Sequence, residues 1–319
     1  MEFKKIKLFT HNDEDGVSCG ILGKLAFKEI DIEYCGYGEI DEKIQNYLKS
    51  DENTLDVFIF ITDISVNKET ADLINELYIA ENAKEKLLLL DHHKTALWLN
   101  EYNWANVTVH RTYQPDKHIL ESGTSLFYEY LLNYNLLNNN QLNISIFVDL
   151  VRAYDTWEWS KTDNLKAKML NDVFKIIGKD DFVKEYTIAL RTGDPFIFDI
   201  KTDHKILLTY FNKKNNEYID NKMKNVVIDL DDYGNKVGYV ICDNIDCTSM
   251  LGNKMCEDLE IDYACLFYDK GCSLRSIGDF DVSEIAKQYD GGGHKNAAGY
   301  TCDNLNKLMN LNKTEWRFI

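Results

Sequence analysis

Short, nearly unbroken apolar runs alternate with amphipathic stretches through the first half of the chain. Strand-like runs fall near residues 3–10, 32–37, 56–62 and 86–91, and helical periodicity fills 17–29 and 68–82 between them. The runs Val57-Phe58-Ile59-Phe60-Ile61 and Leu87-Leu88-Leu89-Leu90 lack the polar alternation of a half-exposed strand, which predicts strands covered on both faces. That rhythm predicts a parallel sheet with flanking helices, and further helices are expected over 123–137 and 143–154. From about 165 to 222, lysines and asparagines mix with helical spacing and Pro195 punctuates the run, which reads as a helical connector. Beyond it, Val226-Val227-Ile228 and Val237-Gly238-Tyr239-Val240-Ile241 flank a hairpin signal at Asp231-Asp232-Tyr233-Gly234-Asn235. A helix near 249–258, a strand near 263–268 and the run Cys272-Ser273-Leu274-Arg275-Ser276 complete a second α/β unit. The expected architecture is α/β. A parallel-sheet domain spans 1–165, a helical connector 166–222 and a smaller α/β domain 223–319, with an interdomain cleft. There is no internal repeat, and Asn138-Asn139-Asn140 is the only low-complexity stretch.

Charge narrows the partners. With 53 acidic and 36 basic residues the chain carries a formal net charge of −17. Long nucleic acid is held by basic surfaces that release counterions, so a long duplex is not an expected partner. Bound cations offset the repulsion only locally, so an anionic substrate is expected to be short and held in one cleft. Hydrophobic content of 45% over 319 residues is enough for two cores. No apolar run reaches the length of a membrane span, and Met1-Glu2-Phe3-Lys4-Lys5 leads into a strand pattern rather than a signal peptide. The expectation is a cytoplasmic protein with no membrane partner. The eight cysteines (Cys19, Cys35, Cys242, Cys247, Cys256, Cys265, Cys272, Cys302) include no Cys-x-x-Cys pair and are expected to be free thiols. Nothing in the pattern sets an oligomeric state.

Candidate chemistry collects at the ends of apolar stretches. His11-Asn12-Asp13-Glu14-Asp15-Gly16 follows the first strand, Asp63 the third and Asp91-His92-His93 the fourth, while Asp155 follows the helical run from Ile144 to Tyr154. Ligands of open parallel sheets gather at the carboxyl ends of the strands, so acidic tips on that edge predict bound cations. His11, Asp13 and Asp15 are spaced by two, which in an extended segment places all three side chains on one face. Mixed oxygen and imidazole donors without cysteine suit manganese or a similar divalent ion and argue against structural zinc. Two such ions about 3.5–4 Å apart generate a nucleophile for displacement at phosphorus. Taken singly, Asp15 reads as a helix cap and His92 as a surface histidine. Their joint occurrence at successive strand ends favours a metal pair. Asp149 and Arg152 are expected to form a helix-surface pair.

These motifs resemble those of the DHH phosphoesterase superfamily: an Asp-x-Asp-Gly opening, a lone Asp, Asp-His-His and a final Asp. The resemblance implies one metal held by His11, Asp13 and Asp63, and a second held by Asp15, Asp63, His92 and Asp155, with Asp63 as the bridge. It also implies that Asp91 orients its neighbouring histidine. His93 is then expected to face the scissile phosphate and assist charge neutralisation or leaving-group protonation. Many relatives open with His-x-x-x-Asp-x-Asp. The shorter His11-x-Asp13-x-Asp15 spacing resembles RecJ-like nucleases and nano-RNase B type oligoribonucleases.

The second half holds Gly291-Gly292-Gly293-His294-Lys295-Asn296-Ala297-Ala298-Gly299, whose glycines allow a close backbone approach to an anion. Arg275 offers a bidentate guanidinium. Ser273-Leu274-Arg275-Ser276, then Asp281 to Ala286, then this glycine run resemble the C-terminal domain associated with DHH proteins. That resemblance implies that Arg275, Gly292, Gly293 and His294 bind the substrate's nucleotide and phosphate. The segments Thr10 to Val17 and Arg152 to Trp159 look most like nano-RNase B type oligoribonucleases. The implied activity is manganese-dependent hydrolysis of short single-stranded RNA or dinucleotides from the 3′ end, releasing nucleoside 5′-monophosphates. Trp157 and Trp159 are candidates for base stacking or for packing. Three alternatives compete. One is a small-molecule phosphatase acting on 3′-phosphoadenosine 5′-phosphate or linear dinucleotides; the others are an exopolyphosphatase and a nucleotide-binding sensor without turnover.

Overall fold

The computed structural model of the protein describes residues 5–54, 56–78, 86–114, 117–137, 142–195, 197–199, 202–269 and 271–301. Asn138-Asn139-Asn140, Cys302 and the end of the helix expected over 68–82 lie outside the described residues. The chain divides into two compact units, Met1–Thr209 and Tyr210–Ile319.

The first unit begins with β1 (Lys5–His11), α1 (Glu14–Ala26), β2 (Ile30–Cys35), α2 (Ile40–Leu48), β3 (Val57–Thr62), α3 (Lys68–Tyr78) and β4 (Leu87–Asp91). A 3-10 helix (Lys94–Glu101), β5 (Ala105–Val107) and the hairpin of β6 (His110–Gln114) and β7 (Lys117–Leu120) follow. Strands β1 to β5 form one sheet in the order β2-β1-β3-β4-β5, parallel throughout. The apolar runs occupy its centre, where β3 and β4 are buried along their whole length. Side chains alternate on β3. Ile59 and Ile61 join the core under α2 and α3, which also holds Trp104. Phe60 turns the other way, its ring 5.2 Å from Phe127 and 5.9 Å from Phe27. Helix α2 and strands β5 to β7 were not anticipated. Helix α2 buries only Ile40, Ile44, Tyr47 and Leu48, too short a stripe to stand out from a polar stretch.

Helices α4 (Gly123–Asn133), α5 (Leu142–Asp155), α6 (Glu158–Thr162), α7 (Leu165–Ile177) and α8 (Lys179–Thr192) complete the unit, and α9 (Thr202–Met223) runs past its end. Helix α8 packs on α1, and α7 on α5, so these segments of the expected connector build on the first unit. Arg152 is more than half of a surface pair: it is buried, donates to Asp149 at 2.8 Å and to Glu158 at 2.7 Å, and reaches the Leu120 carbonyl at 3.3 Å. Trp159 is buried with its ring stacked 6.1 Å from Tyr154, and Trp157 meets it edge-on at 5.2 Å.

The second unit contains β8 (Val227–Leu230), β9 (Lys236–Ile241), α10 (Thr248–Asp258), β10 (Tyr263–Tyr268), β11 (Gly271–Ser276), α11 (Val282–Lys287), β12 (Gly292–His294) and β13 (Ala297–Thr301). Its sheet runs β12-β13-β11-β10-β9-β8. The expected hairpin is there. Asp231 accepts the amides of Tyr233 and Asn235 at 2.9 and 2.8 Å across the turn between β8 and β9. Ala264 and Leu266 face the core under α10, whereas Tyr263 and Cys265 face the core under α11. The seven described cysteines are buried and unbridged.

Candidate metal centre

Register aligns the site. Thr10 lies opposite Thr62, and Thr62 opposite Leu90, so one step further along the three central strands come His11, Asp63 and Asp91. The row ends the strands rather than continuing them, because Asp63 takes a left-handed backbone (φ 59°) and α1 begins at Glu14. Thr62 donates to Thr10 at 2.8 Å, and Thr10 donates to the Gly16 carbonyl at 2.9 Å, pinning the start of α1 over the strand tips.

His11, Asp13 and Asp15 do not share one extended face as their spacing suggested. The helix starts between them and divides the three. Asp13 is the N-cap of α1, accepting the Gly16 amide at 3.1 Å, and its other oxygen lies 2.9 Å from His11 Nδ1. Asp15 falls in the first turn, buried, and caps a different helix: it accepts the amides of Gly123 at 2.6 Å and Thr124 at 3.0 Å at the start of α4. Both buried amides, which lack intrahelical partners, and the positive end of that helix favour the carboxylate. Gly123 is required there, because a Cβ on it would stand 2.3 Å from Asp63 Cβ.

Among the described residues the donor atoms form several clusters, and two of them hold the expected ligands. His11, Asp13 and Asp63 form one, and Asp15, His92 and Asp155 the other, with the ligand atoms of each within 4.8 Å of one another. They meet where His92 Nε2 lies 3.0 Å from Asp63 Oδ1. His92 Nε2 is also 3.7 Å from Asp15, and its Nδ1 is 3.6 Å from Asp155, the last residue of α5. Asp91 stands behind this row, fully buried. Its Oδ1 takes His93 Nδ1 at 2.7 Å and the His92 amide at 2.8 Å, and its Oδ2 accepts from Ser65 Oγ.

Electrostatics separate these carboxylates. Burial first, then the charges of Asp15 and Asp13, push the Asp63 and Asp155 carboxyls well above the usual carboxylate range. Burial acts the same way on Asp13 and Asp91, but imidazole neighbours outweigh it. His11 and the Gly16 amide hold Asp13 below its ordinary value, and His93 with Ser65 does so for Asp91. Buried Oδ2 atoms of Asp63 and Asp155 have no hydrogen-bond partner. Carboxylates that crowd one another and leave buried oxygens unsatisfied are costly without a counter-charge. These residues fit divalent cations.

Two neighbours escaped the sequence reading. Glu14, flanked by the candidate ligands, is buried with Oε1 unpartnered, and burial followed by Asp15 and Asp13 raises its carboxyl well above the ordinary range. Tyr37 follows β2, with its ring 4.7 Å from that of His11. The signal for it was its position: Cys35-Gly36-Tyr37-Gly38 is another strand end, opposite His11 in register, but it carries neither carboxylate nor histidine.

In the second unit Ala297 lies opposite Arg275 on β11 and opposite His294 on β12, so the three share one row of the sheet. Arg275 is held by Ser249 at 2.8 Å and Ser273 at 3.0 Å. Gly292–His294 of the glycine run form the edge strand β12. A Cβ on Gly293, whose φ is 136°, would stand 2.6 Å from the Ala297 carbonyl, so its missing side chain admits β13.

Residues 236–319 match the DHHA1 domain. Oligoribonuclease NrnB of Bacillus subtilis (strain 168) is 39% identical over 298 residues, covering 92% of this chain and 71% of that protein. A 3′,5′-cyclic-nucleotide phosphodiesterase of Helicobacter pylori (strain ATCC 700392 / 26695) is 23% identical over 337 residues, covering 94% of each. Among solved structures, exonuclease RecJ bound to manganese shares the fold, with a TM-score of 0.55 at 14% identity over 95% of this chain and 86% of that one. Among the described residues no helix is long and apolar enough to cross a membrane.

Proposed function

The chain belongs to the DHH phosphoesterase superfamily, alongside oligoribonuclease NrnB, and on that premise we propose that it is a two-metal phosphodiesterase of short oligoribonucleotides. It shortens them from the 3′ end and releases nucleoside 5′-monophosphates. The reading rests on the two donor groups meeting at His92 and Asp63, beside buried carboxylate oxygens that lack partners.

His11, Asp13 and Asp63 would hold one divalent ion, and Asp15, Asp63, His92 and Asp155 the other. Manganese suits this mixture of oxygen and imidazole donors. When bound, the pair supplies Lewis-acid stabilisation of a phosphate and a hydroxide nucleophile at neutral pH. The protein's own groups do the rest. Asp91 accepts a hydrogen bond from Nδ1–H of His93 and fixes the ring, which leaves Nε2 to act on substrate. As the bond between phosphorus and the 3′-oxygen breaks, that oxygen takes the proton from Nε2; water adds its hydroxide to phosphorus, and its remaining proton passes to solvent, from which Nε2 is reprotonated. Arg275 grips a phosphate, with Gly292, Gly293 and His294 receiving the nucleotide. Ser249 and Ser273 hold the guanidinium in advance, so little side-chain entropy is lost on binding. The setting is cytoplasmic, in keeping with buried free thiols.

The test is manganese-dependent hydrolysis of 5′-labelled RNA from dinucleotides to long oligomers, with 3′-phosphoadenosine 5′-phosphate and polyphosphate in parallel. Rapid loss of the shortest RNAs, with a ladder receding from the 3′ end, is the expected result. Turnover confined to the phosphate monoester or polyphosphate would overturn the nuclease assignment and leave the metal pair standing.

A further inference from the structure

His93 is gripped at both ring nitrogens. Its Nδ1 lies 2.7 Å from Asp91 Oδ1, and its Nε2 lies 3.0 Å from the hydroxyl of Tyr37. Tyr37 arrives from a different strand end, on a turn with its own ties. Gly36 donates its amide to the Glu39 side chain at 3.2 Å and accepts the Glu39 amide at 3.0 Å. The Tyr37 ring stands 4.7 Å from His11 at 49° and meets His93 edge-on at 6.0 Å. The residue is 54% exposed, so it does not sit in a hydrophobic core and its contacts are those with His11 and His93 at the site.

A buried carboxylate such as Asp91 accepts only, so the Nδ1 that faces it carries a proton. Nε2 is then the one ring atom of His93 that exchanges a proton with another group. A tyrosine hydroxyl both donates and accepts. It donates a hydrogen bond to a bare Nε2 or accepts one from Nε2–H. One contact thus restrains the ring in both protonation states, which a Phe, a Lys or a carboxylate in that place does not do.

We propose that Tyr37 is a positioning residue for His93, its hydroxyl aiming Nε2 and its ring resting on His11 to hold the turn in place. The inference rests on the reading of His93 as the group that protonates the leaving oxygen. A side chain that aims a general acid contributes to turnover rather than to substrate affinity, and only where the leaving group needs a proton.

The experiment compares Tyr37→Phe with the wild-type chain on a ribodinucleotide and on the p-nitrophenyl ester of thymidine 5′-monophosphate, whose leaving group departs unprotonated. The expected result is a loss of about tenfold in kcat on the dinucleotide, with KM within about twofold, and little change on the nitrophenyl ester. Equal losses on both substrates, or none on either, overturn the proposal. A second readout needs no turnover. In long-range proton–nitrogen spectra of the metal-free protein, the His93 Nε2 resonance shifts in Tyr37→Phe while Nδ1 stays; an unmoved Nε2 also overturns it. His93→Ala separates the two ideas. Wild-type dinucleotide activity in His93→Ala sinks the acid role itself, whereas a loss there with an inert Tyr37→Phe sinks only the part assigned to Tyr37.

Discussion

The carboxylate of Asp15 accepts the amide of Gly123 at 2.6 Å, although 108 residues separate them. The contact places a helix start against a strand tip and leaves room for nothing larger than glycine beside Asp63. In Gly123→Ala the new methyl displaces either Asp63 or the first turn of α4. Overpacking of this kind costs about 1–3 kcal/mol. The expected outcome is a lower Tm by a few degrees with native far-UV circular dichroism, and a loss of activity out of proportion to the loss of stability. Near-normal kcat would show that the turn at Asp63 yields without consequence.

Asp155 reaches the site from the end of a helix, apart from the strand-tip row. Asp155→Ala should therefore disturb only the group it shares with Asp15 and His92, leaving His11, Asp13 and Asp63 in place. Calorimetric titration of the metal-free protein with manganese should fall from two equivalents to one. Two tight equivalents in the variant would remove Asp155 from the ligand set.

Stability should depend on pH in a direction that identifies Asp63. Its carboxyl is raised above the unfolded value by burial and by its acidic neighbours, so between the two values the folded state binds more protons than the unfolded state. The metal-free protein thus loses this contribution as pH rises from about 4, the unfolded carboxylate range, through the raised folded value. Asp63→Asn abolishes that loss. In the presence of a chelator, the Tm of Asp63→Asn minus that of wild type should grow with pH, and added manganese should reverse its sign. A difference that stays flat with pH would mean that Asp63 is not strained in the metal-free state.

Arg275→Ala should raise KM for dinucleotides severalfold and change kcat little, because the guanidinium is assigned to holding a phosphate. Ser249→Ala, which loosens the guanidinium without removing it, should give a smaller effect of the same kind. A pure kcat defect in Arg275→Ala would move the residue from the binding end to the reaction.

Salt offers a test of substrate length. A substrate touching few phosphates releases few counterions, so KM for a dinucleotide should change by less than about tenfold between 50 and 200 mM salt. A steep slope would point to a long polyanion, against the net charge of −17.

The strand tips were legible in the sequence for a simple reason. The long apolar runs β3 and β4 announce themselves, and the polar residue that ends each is unambiguous. What sequence spacing misjudged was the segment from His11 to Asp15, where the helix starts three residues before the apolar periodicity suggests and rotates Asp15 toward α4. Asp15 as a cap for α4 was invisible, since its partner lies 108 residues away. Tyr37 was passed over because a lone tyrosine between glycines carries no ligand chemistry until its neighbour His93 is in place. In the glycine run, Gly293 also makes room for the chain's own next strand, a role that its spacing alone does not announce.

The row formed by His11, Asp63 and Asp91 makes turnover a gauge of strand registration. A slip of one residue between β1 and β3 sends Asp63 to the opposite face of the sheet, because successive side chains alternate. Such a molecule keeps its strands, its helices and most of its circular dichroism, yet has no donor row. The active fraction of a refolded sample therefore counts molecules whose central strands are correctly aligned, a quantity that bulk secondary-structure spectra do not report.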